Sequence, residues 1–165
     1  MIINMAITYR DVSGEELLKL LREGERDLRF IRTPDNTNLC NSDQYPATLE
    51  ELRKNSNPIQ LTDSRLVGLT AHGIYLPDAN LERAILEEAS LVGANLGGAY
   101  LRRAYLVGAN LDRASLVGAD LSYTAGTITE SYGLTEADVY NLVVEDSETR
   151  EAIQKLMEQK KLFAD

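Results

Sequence analysis

A leucine every fifth residue is the feature that most limits what this chain can fold into. From Leu76 to Leu121 there are ten such leucines in succession, and from Ala79 to Ala119 the residue two before each is alanine, nine in succession. On an α-helix, five residues at ~100° each would send the leucines around every side. On a flat strand, an odd period sends successive leucines to opposite faces. The direction must therefore be reset every five residues by a bend, and four bends close a square coil with Ala and Leu inside and the other three positions outside. Cut from Asn57 to Gly126, the chain gives fourteen units, among them PDANL, EEASL, VGANL, RRAYL and DRASL.

The two residues after each inward Leu form the centre of a turn. Gly68, Gly73, Gly93, Gly98, Gly108 and Gly118 occupy the second central position, where a type II turn needs positive φ. Pro77 occupies a first central position, where its fixed φ fits. Units with Arg83, Glu88, Arg103 or Arg113 at the second position are expected to use another turn type. Early units depart from the pattern, with Ala71 in place of Leu and Ser64, Leu69 and Ile74 in place of Ala. A wider or irregular first coil is expected there.

The run AxLxx resembles the pentapeptide-repeat family, whose unit is A(D/N)LXX; Asn80, Asn95, Asn110 and Asp120 supply the Asn or Asp before Leu. The resemblance covers Asn57 to Gly126. It implies a mainly β solenoid, a right-handed quadrilateral parallel β-helix of twenty residues per coil, here three and a half coils. At the usual interstrand spacing the regular part would be about 17 Å tall.

The flanks read as closures for the open ends of the stack. Ser13 and Glu16 form a capping box ahead of Leu17, Leu18, Leu20 and Leu21, on a helix ended by Gly24. The string ELLKLLREGERDL resembles the capping helix ahead of repeats in cyanobacterial members. Asp27–Thr33 reads as a strand beginning a degenerate coil, with Leu39 its next inward residue. Thr48 and Glu51 suggest a second capping box, opening an inserted helix that runs to about Asn55. Thr135 to about Val144 reads as a helix capped by Thr135 and Asp138. A last helix runs from about Asp146 to Lys161, with acids early, lysines late and an apolar stripe of Ile153, Leu156 and Met157. That stripe reads as a lid on the last coil, and alternatively as a dimer contact. Three parts follow: residues 1–56 with the capping helix, degenerate coil and inserted helix; 57–126 with the repeat; 127–165 as a C-terminal helical cap.

Composition narrows the function. With 17 Lys+Arg against 26 Asp+Glu the net charge is −9, a poor match to nucleic-acid phosphates. One cysteine, Cys40, and one histidine, His72, exclude an internal disulfide framework and a multi-histidine metal centre. No apolar run is long enough to span a membrane, and Met1–Tyr9 lacks the features of a secretory signal; a soluble cytoplasmic protein is expected. His72 lies at an expected turn and reads as a solvated residue, Cys40 as a small hydrophobe. Glu87 and Glu88 sit on a convex turn, whereas acid–base chemistry needs a water-excluding cleft. The expectation is no enzyme, no cofactor and no metal.

What remains is surface. Residues twenty apart stack, so Gln60, Asn80, Tyr100 and Asp120 make one outward column and Arg65, Ile85, Tyr105 and Ala125 the next. Ile85, Tyr100 and Tyr105 then cluster beside Arg102 and Arg103, a candidate partner-binding patch of hot-spot residue types. Tyrosines on an exposed sheet also simply pack against stacked neighbours. Glu82 is expected to pair with Arg102 above it. The reading is a non-enzymatic protein–protein interaction module of unknown partner, monomeric or dimeric through the C-terminal cap. The alternative comes from the resemblance: some members imitate DNA and bind DNA gyrase. Residues 57–126 hold seven acids and five arginines, and 127–165 hold nine acids and four bases, so the negative charge lies off the repeat.

Overall fold

The computed structural model describes residues 8–55, 57–124, 128, 133 and 142–162. In order along the chain come β1 (Arg10–Asp11), α1 (Gly14–Arg22), β2 (Ile31–Arg32), a single 3-10 turn (Leu39–Asn41), α2 (Tyr45–Lys54), the repeat, and α3 (Ser147–Leu162). Among the described residues no helix is long and apolar enough to cross a membrane.

The repeat winds as a parallel β-coil. Bridges join Gln60 to Asn80, Arg65 to Ile85, Thr70 to Ser90 and Tyr75 to Asn95, each twenty residues apart, and recur in four columns to Asp120. Every Leu from Leu76 to Leu121 and every Ala from Ala79 to Ala119 is buried. This side-chain stack is the core, and α1 adds Leu17, Leu18 and Leu21 to the same cluster. The unit VGLTA exchanges the usual sizes: Leu69 takes the alanine position and Ala71 the leucine position, and both are buried. Total volume is nearly conserved, the kind of swap a core tolerates. The coil starting at Gln60 therefore already has the regular twenty-residue bridges, contrary to the expectation of irregularity there.

All the repeat turns share one conformation. Gly68 to Gly118 have φ of 63–72°, and Arg83, Glu88, Arg103 and Arg113 have φ of 54–56° at the same position. The separate turn type expected for those four residues does not occur. The reason is stacking: the N–H of the second turn residue donates to the first turn residue of the next coil, as in Gly68 to Glu87 (2.7 Å), Arg83 to Arg102 (2.9 Å) and Glu88 to Val107 (2.8 Å). A turn of another shape would break this ladder, so position overrides residue preference.

Irregularity lies one coil earlier. Asp27, Arg32 and Asn38 bridge to Gln60, Arg65 and Thr70, offsets lengthened by the inserted α2. Asp27–Thr33 is not one strand. Asp27 is a bridge, the chain turns at Arg29 and Phe30 (φ 55°), and only Ile31–Arg32 is extended pairing. Leu28, Ile31 and Leu39 point into the core. Helix α2 begins three residues before Thr48, with Pro46 in its first turn. Thr48 is inside the helix, buried, and donates its hydroxyl to the Gln44 carbonyl at 2.9 Å instead of capping. Ser13 does cap α1, accepting from the Glu16 N–H at 3.1 Å, and Glu23 and Gly24 (φ 85°) close it. The Glu16 carboxylate takes Arg10 at 3.2 Å.

Rungs also extend beyond the repeat. Below, β1 pairs parallel with β2, Arg10 to Ile31 and Asp11 to Arg32. Above, Val143 bridges to Asp120. Asp27, Gln60, Asn80, Tyr100, Asp120 and Val143 thus form one column of six rungs, roughly 24 Å tall at ~4.8 Å per rung and taller than the repeat alone suggests. The expected helix from Thr135 to Val144 falls mostly outside the described residues, but its end is extended, since Val143 is a bridge.

Candidate functional site

Twenty-residue stacking sorts the outward residues into faces. One face is the column from Asp27 to Val143. The next runs Asp11, Arg32, Arg65, Ile85, Tyr105. The two other columns, Thr70–Ser90–Asn110 and Tyr75–Asn95–Ser115, carry no charge. The exposed tyrosines therefore lie on two adjoining faces and the corner between them, while Tyr75 is half-buried in a third column and Glu87, Glu88, Asp112 and Arg113 occupy other corners.

At that corner the structure brings the expected residues together and adds one. Tyr100 is 53% exposed and Tyr105 42%. Ile85 lies directly beneath Tyr105 in the ladder, half-buried. Tyr123, not expected as part of the patch, is 46% exposed, and its ring lies under both guanidinium groups: 5.3 Å from Arg102 and 5.1 Å from Arg103. Such contacts are worth ~0.5–1 kcal/mol at exposed sites. The signal was present in the sequence, because Tyr123 follows Arg103 by one coil.

Arg102 does not pair with Glu82. Glu82 takes Arg83 at 3.2 Å, and Arg83 also forms a two-pronged pair with Asp63 one coil below, at 2.7 and 2.6 Å. Arg102 reaches upward, to Glu145 at 2.8 Å and to Asp120 at 3.4 Å. The hydrogen bond that Arg102 donates to Glu145, then the charges of Glu145 and Asp120, hold the Arg102 guanidinium further into its charged form. Asp120 itself is buried under the Val143 rung, accepting from the Ser122 N–H at 2.9 Å and from its hydroxyl. Arg103 is exposed; its guanidinium lies over the Tyr123 ring and its backbone N–H donates to the Ser122 carbonyl at 3.0 Å.

Elsewhere, His72 is exposed on its turn, with Nε2 2.8 Å from the Ser90 hydroxyl. A serine nucleophile would further need an acid on the other ring nitrogen, and the described residues show no carboxylate bonded to His72. Cys40 is half-buried, its Sγ accepting from the His72 N–H at 3.2 Å. Tyr45 donates to the His72 carbonyl at 2.8 Å. Burial, and then the neighbouring Cys40, push its phenol well above the usual range.

Residues 64–103 and 89–125 match the family of pentapeptide repeats, in eight copies. The solenoid is made of pentapeptide repeats. No curated protein sequence matches the chain. Among solved structures, it is similar to HetL, a pentapeptide repeat protein involved in heterocyst differentiation regulation from the cyanobacterium Nostoc sp. strain PCC 7120. Identity is 28% over 53% of this chain and 36% of HetL, with a TM-score of 0.37. The pentapeptide repeat protein Rfr23 from the cyanobacterium Cyanothece 51142 is 27% identical over 80% of this chain and 95% of its own, TM-score 0.31. QnrB1, a plasmid-mediated fluoroquinolone resistance protein, is 14% identical in a trypsin-treated form, over 79% of this chain and 56% of its own, TM-score 0.37. The chain thus spans about a third of HetL's length.

Proposed function

We propose that this pentapeptide-repeat protein is a non-enzymatic scaffold that binds a protein partner through the corner of Tyr100, Arg103, Tyr105 and Tyr123, with Ile85 beside it. The supporting observation is sidedness: the exposed Tyr100, Tyr105 and Tyr123 gather with Arg102 and Arg103 on two adjoining faces and the corner between them, while the other two columns are uncharged. Tyr and Arg are the residues that most often carry binding energy, and a coil stacked on a Leu–Ala core presents them on a rigid wall. On this reading the coil is the right-handed, four-sided form of the family, closed below by α1 and above by α3, and the protein acts in the cytoplasm. Reading it instead as a DNA-like acidic rod for gyrase gains nothing from this corner, where Arg83, Arg102 and Arg103 succeed one another.

The test compares wild type with a Tyr100→Ala/Arg103→Ala/Tyr105→Ala variant in affinity capture from source-organism lysate. Arg102 is left intact because it ties Glu145 and Asp120 to the coil. A partner kept by wild type and lost by a variant of unchanged circular dichroism supports the patch. Equal capture by both rejects it.

A further inference from the structure

The face that ends in Tyr105 begins, at its foot, in a depression. Its column reads Asp11, Arg32, Arg65, Ile85, Tyr105 in unbroken register. Around the two arginines lies an open hollow of about 570 Å³, lined by Asp11, Ser13, Arg32, Asp35 and Arg65. The arginines are unequally engaged. Arg32 grips Asp11 through Nε and Nη2, both at 2.6 Å. Arg65 touches Asp35 through Nη2 alone, 3.4 Å from each carboxylate oxygen. Among the described residues it has no other ion-pair partner. One nitrogen at the far end of hydrogen-bond range leaves most of the guanidinium fork open, whereas a well-placed carboxylate takes two parallel N–H donors.

We infer that this depression is a carboxylate-binding site, in which an acidic side chain of an extended partner segment displaces Asp35 from Arg65 while an apolar side chain of the same segment covers Ile85 and Tyr105. The inference rests on the binding face proposed above and names the chemistry of its partner. Spacing fixes the ligand: Arg65 and Tyr105 are two rungs apart, about 10 Å, and an extended chain covers that distance in about three residues. An acid three positions from an aromatic residue therefore satisfies both ends. A second copy of this chain is a poor occupant, because two molecules of net charge −9 repel.

The probe is the tetrapeptide acetyl-Glu-Ala-Ala-Phe-amide, titrated into the full chain and followed by NMR at the Arg65 side-chain N–H and the Tyr105 ring. The expected result is that both signals move together and that the Gln analogue binds at least about tenfold more weakly. Arg65→Gln should lose about tenfold, and Asp35→Asn, which removes the internal competitor, should gain severalfold. Opposite signs in the two variants cannot both come from misfolding. No shift at Arg65, equal binding of the Gln peptide, or an unchanged affinity for Arg65→Gln overturns the site. A partner whose capture needs Tyr100 and Tyr105 but tolerates Arg65→Gln would overturn the carboxylate site and leave the patch standing.

Discussion

Arg113 holds φ of 54°, a left-handed conformation that costs a residue with a Cβ about 1–2 kcal/mol. Its side chain is 82% exposed and meets Asp112 only at 4.0 Å, so little is gained in return. The coil imposes the conformation, since the neighbouring turn in its column, at Gly93, has the same shape (φ 65°) and donates to the Asp112 carbonyl at 2.7 Å. Arg113→Gly removes the strain and returns about 0.5–1 kcal/mol through the looser unfolded chain. The net expectation is a gain of up to about 1 kcal/mol, read as a Tm rise of roughly 2–4 °C. Arg83 has the same φ but two short bonds to Asp63, so Arg83→Gly should show no such gain. A fall in Tm for Arg113→Gly would mean that the turn conformation is not strained.

At the scale of elements, α3 is tied to the coil by Ile153 in the core, by the Thr124 N–H donating to Thr149 Oγ1 at 3.0 Å, and by the Asp146 carboxylate at its start. Asp146 accepts from the Thr149 N–H at 2.7 Å, capping the helix, and from the Tyr123 N–H of the last turn. Burial pushes its pKa up, but the bonds from Thr149 and Tyr123 outweigh it and hold the carboxyl below its ordinary value. A lowered folded-state pKa contributes stability that is fully present above the unfolded value of about 3.9 and is lost as pH falls through the folded value. The Tyr123 and Thr149 amides should therefore lose hydrogen-exchange protection, relative to intrinsic rates, below about pH 4, before the coil amides do. Asp146→Asn should show weaker protection with no such pH step. Protection unchanged down to full unfolding would rule out this tether. The helix was legible because its cap and charge order are local. The turns at Arg83 and Glu88 and the partners of Arg102 were not, because each is set by residues about a coil or more away in sequence, whereas the start of α2 carried a local mark in Pro46 of its first turn. Of the candidate site, Tyr100, Tyr105 and Ile85 follow from period alone. Tyr123 follows from the same period carried one unit further, whereas Asp120 looked exposed until Val143 supplied a rung above it.

For the whole molecule, the twenty-residue register makes stability nearly one-dimensional, each coil resting on its neighbours. Residues 81–100 are one complete coil, and removing them joins Asn80 to Leu101 with every column still aligned: Leu over Leu, Ala over Ala, turn over turn. Such a variant should keep a cooperative thermal transition and the same circular dichroism shape, at a lower Tm because each column loses a rung and the core loses four leucines. Removing residues 81–98 deletes less chain but shifts every later unit by two positions. Leucines above the junction would then stand over outward positions below it, and the hydrophobic column could not close. That variant should lose its cooperative transition although it retains more residues. If both deletions behaved alike, register would not be what holds the coil together, and the fixed spacing between the Arg65 depression and Tyr105 would have no physical basis.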